Sequence, residues 1–231
     1  MRHHILCCFI LLGLTLPLRA KDTDEVSQAL AAVGTGSAAE LKSRLFADQI
    51  TVFNAEFRAK AITTLPTAVR NQRLTEGKLL LRVETAFQQV LQLHGRGGKV
   101  ELFLFQDDVP SAMLWRGCIL VLSTGLADPL YDAELAGVLA HELGHSYFED
   151  EMANAQRQRE AAAMRVVELK CDAVALLSLK LLAYDPAAYL KGLQRIQEIK
   201  RRKSLSSSIQ QSHPEFVLRA QFSQRFIKLL G

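Results

Sequence analysis

Apolar residues at Leu79, Val83, Phe87, Val90 and Leu91 keep to one helical face within "PTAVRNQRLTEGKLLLRVETAFQQVLQLH", predicting a helix opened by Pro66 and stopped by "GRGG". Upstream, the alanine-rich stretch from Asp24 to Val33 reads as helix and breaks at "GTGS", where Ser37 is placed to cap a second helix running to about Thr63. The period then changes. "KVELFLFQ" alternates and is rich in branched and aromatic residues, and "GCILVLSTGL" is a short apolar run ended by glycine, so both predict strands, linked by "DDVPSAM". From Asp128 onward helical spacing returns over Pro129 to about Phe148, about Ala153 to Leu182, Pro186 to about Lys200, and Pro214 to Leu230. The basic, serine-rich "RRKSLSSSIQQSH" before the last of these has no period and reads as loop. Helices, a small sheet, then more helices place the chain in the α+β class.

Composition bounds this picture without changing it. The 231 residues are 49% hydrophobic, enough for one folded domain and short for two. The formal charge is +4, falling to +2 without Arg2 and Arg19, which gives no support to nucleic-acid binding. "MRHHILCCFILLGLTLPLRA" has a basic start, an apolar run from Ile5 to Leu16, Pro17, and a small residue at Ala20 before "KDTDE". That is the layout of a secretory signal peptide over residues 1–20, cleaved after Ala20, and it predicts an exported chain, periplasmic or secreted. The apolar run is shorter than the ~20 residues a membrane span takes. Beyond the leader only Cys118 and Cys171 remain, both in apolar surroundings, so a disulfide is permitted but the reading as small core residues is favoured.

The chemistry concentrates in "AGVLAHELGHSYFEDE". Positions i and i+4 of a helix share one face, so His141 and His145 present two imidazoles to a single point, where a divalent metal fits. Glu142, one step round, flanks that point, where a carboxylate can take a proton from water and deliver it to a leaving amine. Gly144 leaves room beside the histidines for a strand or a substrate. A hydrolytic zinc site needs a third protein ligand. Downstream, "MRVVELKCDAVALLSL" places Glu168 and Asp172 at i and i+4 in an otherwise apolar helix, where buried acids are costly unless they meet a cation. Glu168 reads as the third ligand, and Asp172 as the acceptor that orients a ligating imidazole.

A helical H-E-x-x-H followed by E-x-x-x-D resembles the gluzincin zinc metallopeptidases. "LSTGLADPLYDAELAGVLAHELGH" is similar to one branch of them, the family that includes the CAAX prenyl endopeptidases and the HtpX-type proteases. That family also carries H-P with an arginine six positions after the histidine, matched here by His213, Pro214 and Arg219 in "HPEFVLR". The resemblance implies one zinc ion held by His141, His145 and Glu168. It also implies Glu142 as general base and acid, and His213 with Arg219 as donors near the carbonyl oxygen that gains charge. It further implies a zincin-like catalytic region over 99–231, joined in one compact domain to a helical region over 21–98. The chain departs from relatives in a short gap between His145 and Glu168 and in "SAM" at Ser111 to Met113.

The function expected is that of a zinc metalloendopeptidase hydrolysing exported or envelope polypeptides. An inactive relative serving as a binding or chaperone-like factor is the alternative. The partner is a polypeptide substrate, with peripheral membrane association as a further option and nothing in the chain that sets an oligomeric state. Substrate is expected to lie along an edge strand. "SAMLWRGCILVLS" is assigned as that strand, with Trp115 either a pocket wall or a core residue.

Overall fold

The axis of the fold is the helix that carries the two acids, α9 (Ala161–Leu181), in which every residue from Val167 to Leu179 is buried. A helix covered on all sides must be packed on all sides. The computed structural model describes residues 20–46, 53–203 and 216–231. The expected leader up to residue 19, and the loop with His213 and Pro214, lie outside them.

Around α9 pack α1 (Ala20–Val33), α2 (Ala38–Leu45), α7 (Asp132–Gly144), α8 (Glu149–Gln158) and α11 (Phe216–Leu230). α5 (Lys78–Leu93) and α10 (Ala187–Arg202) complete the helical layer against α7. One apolar core runs without a break from Val26 of α1 through Leu91, Leu139 and Val174 to Phe226 of α11. α1 is further fixed by the buried Glu25, which accepts from Arg165 of α9 at 2.8 and 2.5 Å. Among the described residues no helix is long and apolar enough to cross a membrane.

The sheet holds three strands in the order β1-β3-β2, where β1 is Glu101–Phe105, β2 Ala112–Trp115 and β3 Ile119–Ser123. β3 is central, parallel to β1 and antiparallel to β2. Its alternate side chains enter two cores: Leu120 and Leu122 face the helices, whereas Ile119 and Val121 join Phe103 and Phe105 against α3 (Ala55–Thr63). The segment expected to be a single edge strand is thus a hairpin, with β2 at the edge and β3 in the middle. Its turn holds Arg116, Gly117 and Cys118 between the paired Trp115 and Ile119, with positive φ at Arg116 and Gly117 (51° and 67°) and Cys118 N donating to Trp115 O at 3.2 Å. Trp115 takes the core role, donating Nε1–H to the Ala61 carbonyl of α3 at 3.1 Å.

Four expected helix boundaries shift, each for a local reason. The helix expected from Ser37 to Thr63 is two: Ser37 caps α2 through a reciprocal pair with Glu40, and Asn54 Oδ1 caps α3 by accepting from Phe57 N at 2.8 Å. The long helix expected from Pro66 is interrupted after α4 (Thr67–Arg70), because residues 72–74 pair with the outer edge of β1. Leu74 N donates to Leu104 O and Gln106 N to Gln72 O, each at 2.8 Å. The helix expected from Ala153 is split at Arg159, whose φ of 56° ends α8. The turn after β3 forms a short helix, α6 (Thr124–Ala127), before α7 begins.

Candidate metal centre

α7 meets α9 where α7 has no side chain. A Cβ on Gly144 would stand 3.2 Å from the Cα and 3.3 Å from the Cβ of Cys171, so only glycine lets the two helices approach this closely. The glycine expected to admit a strand or a substrate instead admits a helix. Gly137, two turns earlier, does the same for α10: a Cβ there would sit 3.0 Å from the Tyr189 ring. Two glycines thereby bring side chains from α9 and α10 against the histidines of α7.

The first contact sets out a ligand cluster. His141, His145 and Glu168 each bring one ligand atom to within 4.8 Å of the others. His141 Nε2 is 3.5 Å and His145 Nε2 3.9 Å from the Glu168 oxygens, and the two imidazoles stand at 90° to one another. Tetrahedral zinc with bonds of about 2.0–2.2 Å places its ligands roughly 3.3–3.6 Å apart, so this donor set fits with small adjustment. Two neutral imidazoles and one carboxylate also suit zinc chemically. Glu142, buried on α7 between the histidines, is not part of the cluster.

The second contact lies behind His141. Its Nδ1 is 2.9 Å from Asp172 Oδ1 and 2.9 Å from the Tyr189 hydroxyl, which itself donates to Asp172 at 2.6 Å. Arg219 of α11 donates Nε–H to Asp172 Oδ2 at 2.9 Å and reaches Asp172 Oδ1 and the Tyr189 oxygen through its terminal nitrogen. Four helices converge on this buried network. Burial would raise the Asp172 pKa, but the Arg219 charge and the His141 hydrogen bond outweigh it and bring it to about 2. Burial likewise opposes charge on His141, and the Asp172 and Glu168 carboxylates overcome it, raising its pKa to about 9. Without a cation these two carboxylates therefore favour the protonated ring, and when Nε2 gives up its proton to ligate a metal, the ionised Asp172 holds the remaining proton on Nδ1.

The expected residues are thus not all brought together in one role. His141, His145 and Glu168 converge on one point, with Asp172 on the far side of His141. Arg219, expected beside the reacting carbonyl, is a correction: its guanidinium lies on the Nδ1 side of His141, committed to Asp172 and Tyr189, away from the face that Nε2 presents. His213 lies outside the described residues. Tyr189 has no signal of its own in the sequence, since a tyrosine on the apolar face of "AAYLKGLQRI" looks like ordinary core; only Gly137 and Gly192, which seat α10 tightly on α7, hint at it. Cys118 and Cys171 are both buried and free, as favoured for core cysteines.

Residues 78–164 match the family model described as peptidase family M48, a span from the start of α5 to the first turn of α9 that includes His141, Glu142 and His145. No curated protein matches the chain. The family match over residues 78–164 and the mostly helical α+β fold agree with the resemblance carried by the motif, and over that span the chain is similar to peptidase family M48.

Proposed function

We propose that this protein is a zinc-dependent endopeptidase that hydrolyses exported or envelope polypeptides. The observation that carries the reading is the convergence of His141, His145 and Glu168 from two helices packed across Gly144, with Asp172 orienting His141. A zinc ion held by these three supplies a Lewis acid for the peptide carbonyl and makes water more acidic. The chain's own groups do the rest. Glu142 accepts the proton of the attacking water on its carboxylate and passes it to the departing amine nitrogen. Asp172 keeps the His141 proton on Nδ1, and Arg219 keeps Asp172 ionised. His213 is assigned the donor to the oxygen that gains charge, on the family resemblance alone.

The open edge of the sheet supports an extended substrate. The β1 edge is taken by residues 72–74, which leaves β2, packed beside α7, for main-chain pairing. Ala112 and Leu114 turn toward the core that holds the zinc helix, so alternate substrate side chains would face that way. Export is supported by the composition of residues 1–20 and tested by N-terminal sequencing of the mature chain, where Lys21 is the expected first residue.

The test of the enzyme reading compares the mature chain with Glu142→Gln. The variant is expected to bind one zinc and to lose cleavage of casein. Undiminished cleavage would remove Glu142 from the chemistry.

A further inference from the structure

Glu168, Cys171 and Asp172 occupy positions i, i+3 and i+4 of α9 and so share one face. Each meets a different part of the histidine pair. Glu168 faces both Nε2 atoms, Asp172 lies 2.9 Å from Nδ1 of His141, and the sulfur of Cys171 lies 3.6 Å from Nδ1 of His145. An imidazole that ligates through Nε2 carries its proton on Nδ1, and the partner of that N–H sets the tautomer and the ring orientation. For His141 the partner is a carboxylate. For His145 α9 offers a thiol sulfur, a weak acceptor.

We propose that Cys171 is a positioning residue for His145, its sulfur accepting the Nδ1–H so that the Nε2 lone pair is held toward Glu168. The inference rests on the reading of His141, His145 and Glu168 as metal ligands. Three features of the structure support it. The sulfur approaches the ring nitrogen that faces away from Glu168, so it is placed to orient the ligand rather than to be one. Cys171 is fully buried, and its backbone is pressed against Gly144, which fixes where the sulfur sits. Among the described residues the other cysteine, Cys118, lies in the second core, on the far face of the sheet, and the two are not bonded. α9 then supplies one acceptor to each histidine, a strong one for the buried His141 and a weak one for the more open His145.

The experiment titrates Zn²⁺ against a chromogenic chelator on the mature chain and on Cys171→Ala and Cys171→Ser, with thermal unfolding of the zinc-free proteins alongside. The Nδ1–H resonance of His145 is followed by NMR in the zinc-loaded state. Loss of the acceptor in Cys171→Ala is expected to weaken zinc binding by about tenfold, the lower end of what such partners contribute. Serine, whose oxygen also accepts, is expected to restore most of that affinity, and the His145 resonance should move in both variants. Wild-type affinity together with an unmoved resonance would overturn the proposal. If the alanine variant does not fold, the resonance in Cys171→Ser decides alone. A wild-type chain that binds no zinc would sink the ligand reading and this inference with it, whereas a zinc-binding wild type with an unaffected Cys171→Ala sinks only the inference.

Discussion

Arg219 donates to both oxygens of Asp172, and through that carboxylate the last helix of the chain is tied to the imidazole of His141. A residue at the reacting carbonyl and a residue behind a ligand fail differently when removed. Arg219→Gln leaves Asp172 buried without its counter-charge, a loss expected to cost about 3–5 kcal/mol in urea unfolding. Zinc affinity should fall roughly 10–100-fold, because the tautomer of His141 is no longer enforced. Turnover at saturating zinc should change only a few-fold. A donor to the charged oxygen would instead cost about 10²–10³ in kcat, and a drop of that size in fully metallated protein would return Arg219 to the reacting carbonyl.

Gly144→Ala tests the close crossing of α7 and α9. The new methyl meets backbone and Cβ atoms of Cys171 at 3.2 and 3.3 Å, neither of which can rotate away. The helices must part, at a cost of about 1–3 kcal/mol in stability. Because Glu168 and the histidines sit on the two sides of that contact, zinc affinity should drop along with the melting temperature. A variant that loses stability but keeps full zinc affinity would show that the cluster does not depend on the crossing.

The parts of the site legible in the sequence are those set by local geometry. One helical turn brings His141 over His145 and Glu168 over Asp172, and such spacings survive any arrangement of the helices around them. The relation between the two pairs is tertiary. It depends on Gly144, whose role as a helix contact cannot be told from spacing, and on Tyr189, whose hydroxyl meets His141 from forty-eight positions away. Arg219 is found behind His141 for a reason of the same kind: a motif records separation along the chain, not which side of the ligand a guanidinium reaches. In the fold, strands and helices were legible wherever period and caps agreed, as at Ser37. They were lost where a short segment found a distant partner, as at residues 72–74 on β1, or where an unfavourable φ ended a helix at Arg159.

Metal removal should be visible as stability. A ligand that binds only the folded chain stabilises it by about 2.7 kcal/mol when present at a hundredfold excess over its Kd. Adding zinc to chelator-treated protein should therefore raise the melting temperature in proportion to the logarithm of free zinc. His145→Ala and Glu168→Ala should remove that dependence. A wild-type melting temperature indifferent to zinc would argue against any metal at these three residues.

Acid sensitivity is expected to come in part from a histidine outside the metal cluster. His94 is buried at the end of α5, stacked on Phe46 with centroids 4.0 Å apart, with its nitrogens 2.8 Å from the Tyr147 hydroxyl and 2.9 Å from Ser178 Oγ. Burial, then the charges of Arg96 and Lys42, lower its pKa to about 3. The unfolded chain takes up this proton near pH 6.5, whereas the folded chain resists it until about pH 3, so the unfolded state binds more protons throughout that window. Folding stability contributed by neutral His94 is thus fully present above pH 6.5 and is lost as pH falls, by up to about 1.4 kcal/mol per unit. Urea unfolding of zinc-free protein between pH 6.5 and 4.5 should show this slope. His94→Gln, which keeps a donor and an acceptor for Tyr147 and Ser178 but cannot take up the proton, should flatten it by that amount. An unchanged slope in the variant would assign the acid sensitivity to other groups.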